Sequence, residues 1–127
     1  MAEAFVFINT FKVKEGKLNE YRQFVDRMVP AVEEGEPDMM QYGLFFNEEA
    51  LEATALQVHR NVENFAFHMN LMSQLIEESR DLIEFADMSV TIYGTPTESI
   101  LEQMRQMAGT GVKVSISGAI TSFDRYH

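Results

Sequence analysis

The chain of 127 residues contains no cysteine and no tryptophan, only three prolines, and 10 basic residues against 20 acidic ones. Without cysteine there is no disulfide, no thiolate metal site and no cysteine nucleophile, and the redox compartment stays open. The formal net charge of −10 argues against nucleic acid, because neutralising phosphates takes clustered Lys and Arg. It argues equally against anionic membrane surfaces. The acidic residues read as solvated helix faces, so the expected partner is a small molecule that is not highly anionic. No apolar run approaches the length that spans a bilayer. The opening Met-Ala-Glu-Ala-Phe has no basic region, so no signal peptide is read and the cytoplasm is the expected location. G-x-S-x-G, P-loop and dinucleotide fingerprints are missing. Gly109-Thr110-Gly111 reads as a helix stop.

What is present is a single domain's worth of core, with 46% hydrophobic and 24% charged residues. Residues 4–13 form a strand with faces Phe5, Phe7, Asn9, Phe11, Val13 and Ala4, Val6, Ile8, Thr10, Lys12. Both faces are apolar in the first half, which predicts a central strand covered on both sides. Asn9 breaks the row of phenylalanines, and a buried amide without partners costs about 1–3 kcal/mol. Two readings stand: a neighbouring backbone group or water satisfies it, or it contacts a ligand in an aromatic pocket.

The segment 14–17 turns the chain into a helix over about 18–34, with an apolar stripe of Leu18, Tyr21, Val25, Met28, Val29 and Val32. Pro30 is expected to kink it or start a new turn, and Gly35 with Pro37 to end it. Strands follow at 38–47 and 52–60, pairing as an antiparallel hairpin. Asn61 is an N-cap with Glu63 in the first turn. The helix after it carries Phe65, Met69, Met72, Leu75, Ile76, Leu82 and Ile83, with a break expected at Asn70. His68, three residues after Phe65 and four before Met72, falls on the buried stripe. A fourth strand at 87–94 leads to Thr95-Pro96-Thr97-Glu98, read as a capping box with proline at the first helical position. That helix stops at Gly109. A fifth strand, 112 to about 122, turns Val112, Val114, Ile116 and Ile120 inward and Lys113, Ser115, Ser117 and Thr121 outward, as an edge strand would.

The order β-α-β-β-α-β plus a helix and strand predicts an α+β fold with a ferredoxin-like core and an antiparallel sheet. Right-handed crossovers place both main helices on one sheet face. The uncovered face is then expected to pack on a second copy as a symmetric homodimer. A pocket is expected between sheet and helices, lined by phenylalanines and adaptable methionines.

Three pieces carry a family resemblance: Phe-Ile-Asn-Thr-Phe-Lys-Val-Lys-Glu-Gly (7–16), Met-Val-Pro-Ala-Val (28–32) and His-Arg-Asn-Val-Glu-Asn-Phe-Ala-Phe-His-Met (59–69). On these the chain resembles the antibiotic biosynthesis monooxygenase family of dimeric α/β barrels, over a core of about 4–94. The segment of about 95–123 resembles an extension found in a subset of such proteins. His68 falls on the family's recurrent histidine, whereas His59 stands where a tryptophan is usual. The resemblance implies a monooxygenase with no metal or bound cofactor, whose deprotonated quinol or polyketide-like substrate itself reduces dioxygen. Haem degradation is disfavoured, since Asn9 matches those relatives but their ligating histidine falls near Glu78.

The expected site then comprises His68 and Asn9 as catalytic groups. Phe7, Phe11, Tyr42, His59, Phe65 and Met72 would pack on the substrate. Plainer readings remain beside it. His68 as a satisfied core histidine, His59 as a strand-end donor and Tyr42 and Tyr93 as packing residues need no ligand. His59 and His68 show no HExxH or similar metal-ligand spacing. A non-catalytic ligand-binding or stress domain, or a polyketide-cyclase-like lyase with His68 as base, are the alternatives to an oxygenase.

Overall fold

The computed structural model describes residues 3–123 and Arg125, with the side chains of Gln74 and Ile76 excepted. Ile76 on the helix stripe and the terminal His127 therefore lie outside the described side chains. The elements are β1 (Phe5–Val13), α1 (Leu18–Gly35), β2 (Gln41–Asn47), β3 (Glu52–His59), α2 (Val62–Ser79), β4 (Ile83–Tyr93), α3 (Glu98–Gly109) and β5 (Lys113–Ser117). The sheet order is β2-β3-β1-β4-β5, antiparallel except where β5 runs parallel beside β4. This is the ferredoxin-like core with one added helix and strand. Its sheet is open.

Period-two alternation sorts the sheet into two faces. Phe5, Phe7, Phe11 and Val13 of β1, with Ala53, Ala55, Val90 and Ile92, are buried under the helices. Tyr21, Phe24, Met28 and Val32 of α1, and Phe65 and Met72 of α2, close that layer. Phe65 is fully buried, with its ring centroid 4.8 Å from Phe5 and 4.9 Å from Phe7. The opposite face carries Val6, Ile8 and Leu56, only partly buried, while Phe45 and Tyr93 stand 54% and 50% exposed.

The ends of elements follow local chemistry. Asn61 accepts a hydrogen bond from Asn64 N at 2.8 Å and starts α2. That helix runs unbroken past Asn70, and α1 continues through Pro30. Three further local expectations are corrected. Leu82 and Ile83 do not extend α2: Ile83 begins β4 and pairs with Val13, and β4 bulges opposite Phe11, with Asp87 at φ 64°. An apolar pair between two elements fits either period, so spacing alone does not divide it between helix and strand. Thr97, not Thr95, caps α3 by accepting from Ile100 N, which leaves Pro96 before the cap and removes the capping box. β5 ends at Ser117, and Ile120 is fully exposed rather than turned inward.

Candidate functional site

The register of the sheet sets the floor of the site. Tyr42, Gln57, Phe7 and Ile92 share one inward row, and Leu44, Ala55, Asn9 and Val90 share the next. Ala55, between Leu44 and Asn9, puts one methyl group where a larger side chain would fill the layer. Above these rows lies a cavity of about 140 Å³, roofed by Tyr21, Phe24 and Met28 of α1 and His68, Met69 and Met72 of α2. Among the described residues, those around it include no Asp, Glu, Lys or Arg.

Its polar groups are few and buried. His68 is 1% exposed, and its Nδ1 lies 2.5 Å from Glu36 Oε2. Glu36 is the residue after the last turn of α1, where its own N–H closes on Val32 O. Burial disfavours the charged form of each group. It pushes the Glu36 carboxyl up to about 7 and holds the His68 imidazole down at about 4. The ion pair that the distance alone would imply is therefore not the dominant form; near neutrality a neutral imidazole faces a carboxyl group on the edge of ionising. Tyr42 packs edge-on against His68 with ring centroids 5.5 Å apart, and its hydroxyl donates to Met28 Sδ at 3.4 Å. Burial raises the Tyr42 phenol, with Tyr21 and Glu36 adding to the shift, so it stays protonated. Asn9 Oδ1 is buried and has no hydrogen-bond partner among the described residues.

A second imidazole sits next to the first. The His59 ring is 5.5 Å from that of His68, and its Nε2 meets Gln57 Oε1 at 3.0 Å. His59 Nδ1 is buried without a partner among the described residues. Burial first, and the neighbouring His68 second, lower its pKa to about 4.

Of the eight residues expected at the site, His68, Asn9, Phe7, Phe11, Tyr42 and Met72 line this one cavity. Phe65 and His59 do not. Phe65 is spent on packing between β1 and His59. His59 faces a separate cleft beside Glu36, Asp38 and Asn64. Two polar residues went unnoticed in the sequence. Gln57 carried the same signal as Asn9, a polar residue on an inward-facing row. Glu36 continues the Met28–Val32 series by one more step of four, past the glycine that ends the helix. Among the described residues no group of three or more His, Asp or Glu is placed to hold a metal ion.

No protein-family model and no curated protein matches this chain. Solved structures do. MupZ from Pseudomonas fluorescens superposes with a TM-score of 0.69 at 16% identity, covering 97% of this chain and 95% of that one. That coverage takes in the α3–β5 segment. A candidate antibiotic biosynthesis monooxygenase from Nitrosomonas europaea aligns with a TM-score of 0.61 at 17% identity, over 75% of this chain and 92% of its own. One from Deinococcus radiodurans gives 0.61 at 14%, over 73% and 93%. The chain thus has the antibiotic biosynthesis monooxygenase-like fold, and at these identities the likeness extends to the fold alone.

Proposed function

We propose that this protein is a cofactor-independent monooxygenase acting on a small, neutral, single-ring phenol or hydroquinone, with His68 as the base and Asn9 as the group that holds the substrate's oxygen. The observation that carries this reading is that His68 and Asn9, whose Oδ1 is buried without a partner among the described residues, line one largely apolar cavity. A substrate hydroxyl would satisfy the amide oxygen, whose isolation costs about 1–3 kcal/mol. At about 140 Å³ the space is close to that of an engineered cavity of roughly 150 Å³ that takes up benzene. A lining without charged side chains among the described residues favours a neutral ligand. Removal of a hydroxyl proton leaves a phenolate electron-rich enough to reduce dioxygen directly. One hydroquinone and one dioxygen give one hydroxyquinone and one water.

The working form in this reading is a homodimer through the open sheet face, supported by the outward Val6, Ile8, Leu56, Phe45 and Tyr93. The buried acid–imidazole pair would also serve a lyase or cyclase that uses His68 as base. Oxygen uptake with a panel of substituted hydroquinones is the test. Turnover lost in both His68→Ala and Asn9→Ala supports the assignment, and turnover unchanged in either variant refutes that residue's role. Ring binding without oxygen consumption would instead make the protein a binding module or a base-only enzyme. Sedimentation at micromolar concentration should give a dimer, and Ile8→Glu a monomer.

A further inference from the structure

Glu36 lies between two spaces. Its carboxylate meets His68, which lines the inner cavity, while the residue itself borders two clefts on the far side, each of about 230 Å³. One cleft holds His59, Asn64 and Phe67, the other Val29, Met40 and Tyr42. The side chains of His68 and Glu36 are 2% and 4% exposed. The titratable groups facing Glu36 are His68 of α2, Tyr42 of β2 and His59 of β3, with Glu33 and Asp38 along the clefts. Among the described residues no Lys or Arg borders either cleft to hold Glu36 ionised.

The geometry points to Glu36 and His68 acting as one base, in which a proton passes between His68 Nδ1 and Glu36 Oε2 and so sets whether His68 Nε2 meets the cavity as an acceptor or a donor. This rests on the reading of His68 as the base, and makes Glu36 a positioning residue that also carries the proton toward the clefts. When Glu36 is ionised, Nδ1–H donates to it and Nε2 presents a lone pair. When Glu36 is protonated, its O–H donates to Nδ1 and the imidazole proton sits on Nε2. Deprotonation of the substrate is then balanced: the substrate O–H bond breaks, Nε2–H forms, Nδ1–H breaks and Oε2–H forms. The imidazole begins and ends neutral, and the single negative charge moves from Glu36 to the substrate oxygen. No imidazolium has to exist in a place where burial opposes it. A lone buried imidazole held near 4 is a weak base at neutral pH, whereas a carboxyl near 7 is matched to that pH.

Nitrogen-15 NMR of the labelled full chain reads the His68 tautomer directly, with the His68→Gln variant supplying the assignment. The expected result is an exchange from Nε2–H to Nδ1–H as pH rises through about 7 in the wild type, and no such exchange in Glu36→Gln, which keeps a hydrogen-bonding amide but cannot carry the proton. A single tautomer across pH 5–9 in the wild type, or a switch that survives in Glu36→Gln, overturns the proposal. With a hydroquinone that the wild type oxidises, Glu36→Gln should lower kcat/KM about a hundredfold with KM nearly unchanged, and erase the rise in rate near neutral pH. Glu36→Asp should retain that rise. If the wild type oxidises no hydroquinone, the monooxygenase reading fails, while the tautomer measurement still decides the pair.

Discussion

Acidification from pH 6.5 to about 4.5 is expected to weaken the folded state by about 2–3 kcal/mol through His59 alone, even though two buried imidazoles are present. His59 is fully buried and its pKa falls from 6.5 to about 4. Between those values the unfolded chain binds a proton that the folded chain refuses. The stabilisation is therefore complete above 6.5 and is lost as pH drops toward 4, at about 1.4 kcal/mol per pH unit. His68 has the same lowered value, but Glu36 beside it is raised from 4.5 to about 7. Folded, this pair holds one proton beyond its basic form from about 4 to about 7. Unfolded, it does so from 4.5 to 6.5, so the two states bind nearly equal numbers of protons and the pair contributes little slope. Urea unfolding in steps across this window measures the slope. The wild type should take up about one extra proton on unfolding relative to His59→Gln. Glu36→Gln should take up about one more than the wild type, because His68 then titrates without its offsetting partner. Comparing variants cancels the carboxylates they share. Equal slopes in Glu36→Gln and wild type would refute the pairing of these two residues, and an unchanged slope in His59→Gln would refute the burial argument for His59.

Three further outcomes follow from packing and capping. Asn9→Leu removes an unpartnered buried amide oxygen and should stabilise the fold by about 1–2 kcal/mol, raising Tm by about 5 °C, while abolishing hydroquinone binding in calorimetry. Phe65→Ala opens a void between Phe5, Phe7 and His59 and should cost about 3–5 kcal/mol in urea unfolding. Thr97→Ala deletes the hydroxyl that caps Ile100 N and should cost about 1 kcal/mol, leaving oxygen uptake intact because α3 supplies only Met107 to the cavity lining.

The order of elements was legible because each strand and helix repeats its own period over enough residues to be distinguished. Phe5, Phe7, Phe11 and Val13 alternate, and Asn61 has the side chain that a helix start needs. The reading failed where an apolar pair sits between elements: Leu82 and Ile83 fit the helical stripe as well as they fit a strand. It failed again at Thr95 and Thr97, either of which supplies a capping hydroxyl. Only the course of the backbone through Pro96 decides between them.

The site was legible to a different depth, because spacing assigns a residue to a face but not to a partner. A polar residue on an apolar row, Asn9 or His68, is visible as an interruption. Its partner is not, when that partner stands 32 positions away in the chain, as Glu36 does from His68. Glu36 also follows a helix-ending glycine, in an acidic stretch that is otherwise exposed, so composition disguises it as one more solvated carboxylate. What separates it from Glu33 and Glu34 is one step of the helix: Met28, Val32 and Glu36 fall four apart, so Glu36, just past the end of α1, continues the buried side of that helix. A carboxyl group carried inward by that step is almost fully buried with no Lys or Arg beside it among the described residues, and the imidazole of His68 is the group it meets. The chemistry proposed for the cavity therefore depends on where α1 ends: one residue fewer or more before Pro37 would turn this carboxylate away from His68.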